Sequence, residues 1–284
     1  MLDVYRTCYK LNDQPFRLSP DHRFCFGHRT YDDARSYLEY AINEGEGFVV
    51  ITGAPGTGKT TLIGTLLSEI DEDKVSVAML TNTQLDTGNL LKRVAHAFDL
   101  ATDSIDGCDH LWGLEKYLVD NHLQGRRSIL IVDEAQGLDT TSLEDLRLLS
   151  NLQYNHKLLL QVFLVGQESL LDKVRAPGME QLHQRLIAAS HLQPLDPEDT
   201  ESYVEHRLKQ VGWNNDPELT PESLGLIHKF SGGVPRRINL ICHRLFLRGG
   251  LEDKHRLDGQ DALHVIVELH KEGLLTPVER RAFA

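Results

Sequence analysis

An eight-residue stretch, GAPGTGKT, limits what this chain can fold into more than any other part of the sequence. It runs from Gly53 to Thr60, follows the β-rich run GFVVITG, and precedes TTLIGTLLSEI, which has the spacing of a helix. Glycines allow positive φ, so that backbone amides turn toward an anion, and the start of a helix adds further unpaired amides. The stretch therefore predicts a phosphate-binding loop between a strand and a helix.

The residue types in this loop indicate separate roles in binding ATP and Mg²⁺. Lys59 is expected to reach the β- and γ-phosphates, the Thr60 hydroxyl to ligate Mg²⁺, and Thr61 to lie near a phosphate. A chance glycine turn is the alternative, which the acidic strand described next disfavours. The loop residues predicted to bind the nucleotide are Gly53, Ala54, Pro55, Gly56, Thr57, Gly58, Lys59, Thr60 and Thr61.

The apolar run ILIVDEAQ predicts a second buried strand that ends in two acids. Asp133 is expected to hold the magnesium through water, and Glu134 to orient and polarise the attacking water. Two acids at a strand end could instead cap the next helix. Combined with the phosphate loop, they predict a site that hydrolyses a nucleoside triphosphate.

A third strand ends in FLVGQ, and Gln167 follows its last glycine. If this strand neighbours the acidic one, Gln167 emerges beside Glu134, where an amide can position water and sense the γ-phosphate. A strand-terminal glutamine bonded to a loop is the alternative.

Strands alternate with helices up to residue 195, which predicts a parallel sheet with helices on both faces. In the last part of this region, MEQLHQRLIAA has a helical pattern and SHLQPL that of one more strand. From Asp196 onward the pattern is helical only, with Asp196 and Thr220 as N-caps followed by prolines. We expect a strap at 1–30, a three-layer α/β P-loop domain at 31–195 and a small all-α lid at 196–284.

Composition narrows the range of partners and compartments. The chain has 30 Lys and Arg against 42 Asp and Glu, a net charge of −12, which disfavours non-specific binding to nucleic acid. Four cysteines without metal-ligand spacing indicate reduced thiols and a cytoplasmic location. No apolar run approaches the ~20 residues of a membrane span, and the first residues lack a signal-peptide pattern. The cysteines are Cys8, Cys25, Cys108 and Cys242.

With these motifs in place, the sequence resembles the AAA+ ATPases, and more closely the ExeA/GspA-type secretion ATPases. That group includes ATPases encoded with PEP-CTERM/exosortase loci and those of mannose-sensitive pilus (MSHA) biogenesis. The loop GAPGTGKT is closer to the broad AAA+ form than to the GEVG.GKT usual in the secretion ATPases. Longer members add a transmembrane helix and a peptidoglycan-binding domain, which are not carried over to this chain. The resemblance rests on YKLNDQPFRLSPDHRFCF, EGEGFVVITGAPGTGKTTL, ILIVDEAQGL, EDLRLLSNLQ, LLQVFLVGQ and FSGGVPRRINLICHRLFL.

The resemblance implies roles for residues outside the phosphate loop and the acidic strand end. Arg185 matches the position of an arginine finger that reaches the γ-phosphate of a neighbouring subunit, which implies a homo-oligomer, a ring or arc of about six subunits. An arginine on the solvated face of a helix is the alternative. Pro15 and Phe16 match a segment that lies against the nucleotide base, and a packed N-terminal strap is the alternative there.

The stretch SGGVPRRIN predicts a helix end, a Gly232–Gly233 turn and a new helix that begins at Pro235. Arg236 then lies at the N-terminal end of that helix, facing the cleft between lid and α/β domain. There it matches the second sensor arginine of AAA+ lids, which binds the nucleotide. Arg237, about 100° away round the helix, is expected to be a subunit-interface or surface charge.

The preferred function is a cytoplasmic ATPase, at most peripheral at the inner membrane through a membrane-associated partner. It would drive or regulate assembly of an envelope secretion, pilus or exopolysaccharide export system. The alternative is a transposition regulator of the TnsC/TniB kind, which forms ATP-dependent oligomers on DNA. That alternative ranks second because the basic doublets Arg126–Arg127, Arg236–Arg237 and Arg280–Arg281 are scattered in an acidic chain. A third reading is a nucleotide switch with little turnover, against which Glu134 argues.

Overall fold

The structure, a computed structural model, describes residues 4–19, 21–71, 73–81, 90–100 and 107–275. These residues form two units, each with its own apolar core. The α/β unit comprises the described residues within 29–55 and 62–192, and the helical unit those before 29, at 56–61 and after 192. The division into domains at 1–30, 31–195 and 196–284 stays a prediction.

The secondary structure alternates between strands and helices up to residue 192 and is mainly helical beyond it. The strands are β1 Phe48–Gly53, β2 Val75–Leu80, β3 Arg127–Val132, β4 Gln153–Tyr154, β5 Lys157–Leu158, β6 Leu160–Gly166, β7 Leu186–Leu192, β8 Glu218–Leu219 and β9 Arg256–Leu257. The helices are α1 Val4–Cys8, α2 Arg29–Glu44, α3 Lys59–Glu69, α4 Leu90–Ala97, α5 Gly107–Leu123, α6 Thr140–Leu149, α7 Glu168–Val174, α8 Glu180–His183, α9 Pro197–Lys209, α10 Pro221–Ser231, α11 Pro235–Leu251 and α12 Gly259–Lys271. Short 3₁₀ turns lie at His22–Phe24 and Ala135–Gly137.

Five parallel strands form the sheet of the α/β unit, in the order β2-β3-β6-β1-β7. Strands β1 and β6 are buried along their whole length, because apolar residues on both faces pack against neighbouring elements. The small pair β4-β5 is antiparallel. The predicted parallel sheet with flanking helices, followed by a helical region, is confirmed.

The helical unit is built on helices with the caps that the sequence indicates. The side chain of Asp196 accepts the amide of Asp199 at 2.7 Å, and Thr220 accepts that of Ser223 at 3.2 Å, so each caps the helix that follows. Helix α10 ends at Ser231 and is capped by Gly232, which has a left-handed backbone, and α11 begins at Pro235, as predicted. One difference is a two-residue parallel pairing, β8 with β9, in a region predicted to be helical only.

One predicted helix is wrong in its second half. The pattern in MEQLHQRLIAA favours a helix through Ala189, yet α8 ends at His183 and β7 begins at Leu186. Residues 186–192 form a strand because they pair with β1. Without β7, one edge of β1 would be left unpaired, and the pairing gives both strands a ladder of hydrogen bonds. Strand β7 lies at the sheet edge and is only half buried, so its sequence lacks the continuous apolar run of the inner strands.

Two smaller differences concern element ends. The predicted helix TGNLLKRVAHAFDL is α4 over Leu90–Ala97, and its first three residues lie outside the described part of the chain. The predicted strand KLLLQVFLVGQ divides between β5 and β6, because Lys157–Leu158 pair with β4 instead. Within the described residues, no helix is long and apolar enough to cross a membrane.

Candidate functional site

The phosphate loop joins the end of β1 at Gly53 to the start of α3 at Lys59. Gly56 and Gly58 have φ of +86° and +100°, a backbone region that favours glycine. A Cβ at Gly58 would meet no atom within 4 Å, so the loop borders open space there. Such a turn ahead of an eleven-residue helix presents amides to an anion and adds the positive end of the helix dipole.

The side chains of the loop differ in how far they reach solvent. Lys59 is 7% exposed and Thr57 is 3% exposed, whereas Thr60 is exposed. A lysine so placed at the first turn of α3 adds positive charge beside the amides of the loop. The backbone at Gly56 and Gly58 thus fits the turn expected of a phosphate-binding loop, and contact of the individual loop residues with a nucleotide stays a prediction.

Arg236 lies directly against the phosphate loop within the helical unit. Its backbone amide donates to the Gly56 carbonyl at 3.2 Å, and a Cβ on Gly56 would lie 2.6 Å from the Arg236 Cβ. The amide is one of the donors that the start of α11 leaves without a partner in its own helix. The Arg236 side chain is exposed, and its binding to a nucleotide stays a prediction.

Arg237, expected from the sequence to be a subunit-interface or surface charge, is partly engaged within the helical unit, and a subunit-interface role stays a prediction. Its side chain is half-buried, and its guanidinium donates to the carbonyl of Phe230 at 3.2 Å. Burial lowers the pKa of Arg237 from its ordinary value, since a charge loses hydration inside the protein. The reason is the turn of the helix, which directs this side chain back onto the end of α10.

The acid pair follows β3 at a strained turn. Glu134 has φ of +54°, in the left-handed region that is uncommon for a residue other than glycine. Its amide donates to Asp133 Oδ1 at 2.9 Å, and the Asp133 amide donates to the Leu80 carbonyl of β2 at 2.8 Å. Glu134 is exposed, so its carboxylate leaves the sheet toward solvent.

The sheet brings the acid pair, Gln167 and the start of the phosphate loop to one edge. Val132 of β3 pairs with Leu164 of β6, and Thr52 of β1 pairs with Gly166. The prediction for Gln167 required that the strand before it be a neighbour of the acidic strand. Strands β6 and β3 are indeed neighbours. Since all three strands are parallel, the residues after them leave the sheet at its carboxyl edge, where open α/β sheets bind ligands.

A residue that sequence reasoning missed, Gln136, connects two of these groups. Its Nε2 donates to Glu134 Oε2 at 2.5 Å, and its Oε1 accepts the amide of Gln167 at 3.0 Å. The only signal in the sequence was an amide two positions after the acid. Its partners were not predictable, because the contact to Gln167 depends on how β3 and β6 pair.

Arg185 lies in the link between α8 and β7, not on a helix as predicted. Its carbonyl accepts the amide of Phe48 at the start of β1, 2.9 Å away, and its side chain is half-buried. The pairing of β7 with β1 ends the helix before this residue and so fixes its backbone. Its role as an arginine finger stays a prediction.

Pro15 and Phe16 belong to the packed interior of the helical unit. Phe16 has no exposed surface, and its ring lies edge-on to Phe246 at 5.3 Å between centroids. The Pro15 carbonyl accepts a hydrogen bond from Arg207 Nε. This placement gives the segment a structural role, and contact with a nucleotide base stays a prediction.

The side chains named for Mg²⁺ are hard oxygen donors, of the kind this ion takes. Magnesium on a nucleotide is bound through one or two protein ligands, with phosphate oxygens and water completing the shell. The Thr60 hydroxyl and the Asp133 carboxylate fit that donor set. Among the described residues, no group of three or more His, Cys, Asp and Glu side chains could hold a metal ion.

The fold is that of the P-loop AAA class of proteins, and the residues at the carboxyl edge of the sheet are of the types that this class carries there. A family profile described as "AAA domain" matches residues 42–174, the stretch that carries the phosphate loop, the acid pair and Gln167. The chain therefore carries an AAA domain over these residues, and its hydrolysis of ATP is a proposal.

Within that class, the chain is similar to General secretion pathway protein A of Aeromonas hydrophila. The two are 38% identical over 255 residues. The match covers 89% of this chain and 46% of that relative, so the chain spans about half of the relative's length. The resemblance to ExeA/GspA-type AAA ATPases is confirmed, and the PEP-CTERM or pilus subtype stays a prediction.

Solved structures share the fold at low sequence identity. Cdc6p from Pyrobaculum aerophilum superposes with a TM-score of 0.70 at 14% identity, covering 95% of this chain and 73% of that one. The ORC2 protein of Aeropyrum pernix gives 0.62 at 16% identity, over 87% and 70% of the two chains. The RuvB branch migration motor of Thermotoga maritima gives 0.53 at 18%, over 84% and 68%. At such identities the likeness establishes the fold alone.

Proposed function

We propose that this chain hydrolyses ATP with Mg²⁺ as a homo-oligomer, and that turnover drives or regulates assembly of an envelope export system. The observation that carries the catalytic part is the adjacency of β3, β6 and β1. It places Glu134, Gln167 and the first residue of the phosphate loop at one edge of the sheet. A carboxylate, an amide and the start of a phosphate-binding loop at one edge are among the parts that phosphoryl transfer to water requires.

Each group has a role that its chemistry supports. The amides of the loop and Lys59 would bind the phosphates, and Thr60 and Asp133 would hold Mg²⁺. When bound, the metal neutralises charge that develops on the phosphate oxygens. Glu134 orients and polarises the attacking water, and Gln167 senses the γ-phosphate. Arg236, at the start of α11 beside the loop, contributes positive charge to the bound nucleotide.

The catalytic part is tested by ATP turnover of three proteins, with nucleotide binding measured alongside. Wild type should hydrolyse ATP in a Mg²⁺-dependent manner. Lys59→Ala should lose nucleotide binding, whereas Glu134→Gln should bind ATP and turn over at least ~100-fold more slowly. Retained ATP affinity in Lys59→Ala would contradict the assignment of the loop. Full turnover in Glu134→Gln would contradict that of the base.

The export part is proposed from the relative, whose name places it in a general secretion pathway. Under this proposal the chain acts at the cytoplasmic face of the inner membrane through a membrane-associated component. Its test is a deletion in the organism of origin, complemented with wild type or with Glu134→Gln. Loss of protein, pilus or polysaccharide export that only wild type restores would support the proposal. Unchanged export of all three would contradict it.

The DNA-binding alternative has less support from the described residues. Arg127 donates to the carbonyl of Asn43 at 3.2 Å, and Arg237 is half-buried against Phe230. Two of the basic doublets thus have at least one member engaged within the protein, and Arg280–Arg281 lie outside the described residues. ATP-dependent filaments on duplex DNA with a steep salt dependence would overturn the preference for export.

A further inference from the structure

We propose that Gln136 is a positioning residue for hydrolysis. Its side-chain amide holds the Glu134 carboxylate and couples it to the main chain at Gln167. This rests on the proposed function, in which Glu134 acts on water. The proposal adds that Gln136, to which the sequence assigned no role, sets the orientation of Glu134, and that the end of β6 controls this orientation.

The two hydrogen bonds of Gln136 fix the orientation of its amide. The nitrogen donates to Glu134 Oε2 at 2.5 Å, and the oxygen accepts the Gln167 amide at 3.0 Å. An amide oxygen cannot donate and its nitrogen cannot accept, so a flipped amide would lose both bonds. Glutamine is therefore specified by its chemistry here, since glutamate lacks the donor and an apolar side chain lacks both groups.

The turn that carries Gln136 is itself anchored to the next helix. Lys173 of α7 donates through Nζ to the carbonyl of Gln136 at 2.6 Å and to that of Leu138 at 2.8 Å. Ala135, between the two polar residues, is fully buried. Glu134 is exposed, and a fixed donor beside its carboxylate limits the rotamers that the side chain can adopt.

The strand β6 leaves room for this amide by ending in glycine. A Cβ on Gly166 would lie 2.6 Å from Gln136 Oε1 and 3.2 Å from the Gln136 amide nitrogen. Any other residue at this position must displace the Gln136 side chain or the turn. Gly166 precedes Gln167, so movement of this strand end changes the acceptor bond of Gln136 and, through it, the position of the Glu134 carboxylate.

Two substitutions at Gln136 separate its two contacts. Gln136→Glu keeps an acceptor for the Gln167 amide, but removes the donor to Glu134 and places a second carboxylate beside it. Gln136→Met keeps the length of the side chain and removes both contacts. Both variants should lower kcat at least ~10-fold, because small misplacements of a reacting group have large effects on rate. KM and the Kd for a non-hydrolysable ATP analogue should stay within about twofold of wild type.

Gly166→Ala acts on the same contact from the strand and should also lower kcat with little change in KM. A merely structural role for Gln136 would instead move the melting temperature and nucleotide affinity together with the rate. Gln136 acts through Glu134, so Gln136→Met in a Glu134→Gln background should change the residual rate by less than about twofold. An equal loss in both backgrounds would overturn the proposal.

The outcomes distinguish the positioning role of Gln136 from the proposed function on which it rests. Absence of ATP turnover in wild type, or unchanged turnover in Glu134→Gln, would overturn both. If wild type turns over and Glu134→Gln is inactive, then a kcat within twofold of wild type in both Gln136 variants overturns the positioning role alone. A fall in kcat that follows a matching rise in the Kd of the analogue would also overturn it.

Discussion

The backbone amide of Arg236 donates to the carbonyl of Gly56, 3.2 Å away, so the first turn of α11 packs directly on the phosphate loop. The contact is as close as glycine allows, because a Cβ on Gly56 would approach the Arg236 Cβ to 2.6 Å. Loop shape and helix position are therefore coupled through main-chain atoms. A change of side chain at Arg236 leaves this contact in place, whereas a change at Gly56 does not.

Replacing Gly56 with alanine should destabilise the protein more than the same change at Gly58. Both residues have positive φ, at +86° and +100°, so both variants carry a similar backbone penalty. Only Gly56→Ala adds a clash, of the kind that typically costs about 1–3 kcal/mol. Urea unfolding and ATP binding measure the difference. Equal losses in the two variants would show that packing against Arg236 is unimportant.

The two adjacent arginines should respond in opposite ways to truncation. Arg236→Ala removes an exposed side chain beside the loop, so kcat or ATP affinity should fall while the melting temperature changes little. Arg237→Ala removes a half-buried donor to the Phe230 carbonyl, and the free energy of unfolding should fall by about 1–2 kcal/mol. Measuring turnover and thermal unfolding on both variants decides the matter. Normal turnover and nucleotide binding in Arg236→Ala would contradict its assignment.

Arg207 should be the main attachment point of the N-terminal segment. It is 6% exposed, bonds the Pro15 carbonyl and the Tyr203 hydroxyl, and stacks over Phe24 at 4.7 Å from the ring centroid. Arg207→Ala should lower the free energy of unfolding by about 2–4 kcal/mol, since buried acceptors lose their donor.

The matched control for Arg207 is Arg23, whose ion pairs with Asp21 and Asp13 are exposed. Arg23→Ala should change stability by less than about 1 kcal/mol. Hydrogen exchange over residues 4–19 should accelerate in Arg207→Ala alone. Similar exchange in both variants would indicate that other contacts hold the segment.

The ion pair between His255 and Asp216 should make stability depend on pH. Their Nδ1 and Oδ1 atoms are 2.7 Å apart, and this hydrogen bond to Asp216 raises the pKa of His255 above its ordinary value. The folded state binds the proton more tightly, so the stabilisation is complete below the unfolded pKa and is lost as pH rises through the folded pKa. The melting temperature of wild type should exceed that of His255→Gln at pH 5.5 and approach it at pH 9. A constant difference over this range would contradict the linkage.

Arg185 should complete the active site of a neighbouring subunit. If it does, Arg185→Ala and Lys59→Ala are each inactive alone, because one lacks the finger and the other cannot bind nucleotide. Mixing them should restore turnover, since a wild-type loop in one subunit then meets a wild-type Arg185 in the next. In the control, Arg185→Ala and wild type are assembled separately before they are mixed, so that subunits do not exchange between oligomers. No gain over either variant alone would argue against a finger in trans.

Much of the fold follows from the sequence because its signals are local. Continuous apolar runs define the inner strands, the caps at Asp196 and Thr220 define helix starts, and GAPGTGKT defines the loop between β1 and α3. The sequence-based prediction was wrong for the first part of strand β7, which was predicted to be helical. Its sequence, LIAASHL, has the composition of a helix, and only the open edge of β1 makes it a strand.

The sequence by itself determined the chemistry of this protein, that is, the phosphate loop, the acid pair and the resemblance to secretion ATPases. The tertiary structure decided which groups meet. Gln136 joins Glu134 to Gln167 because β3 and β6 are neighbours, and Arg237 is half-buried because α11 turns it onto the end of α10. Residue types and spacing follow from one stretch of chain, whereas a hydrogen bond between residues distant in sequence depends on the register and packing of separate elements.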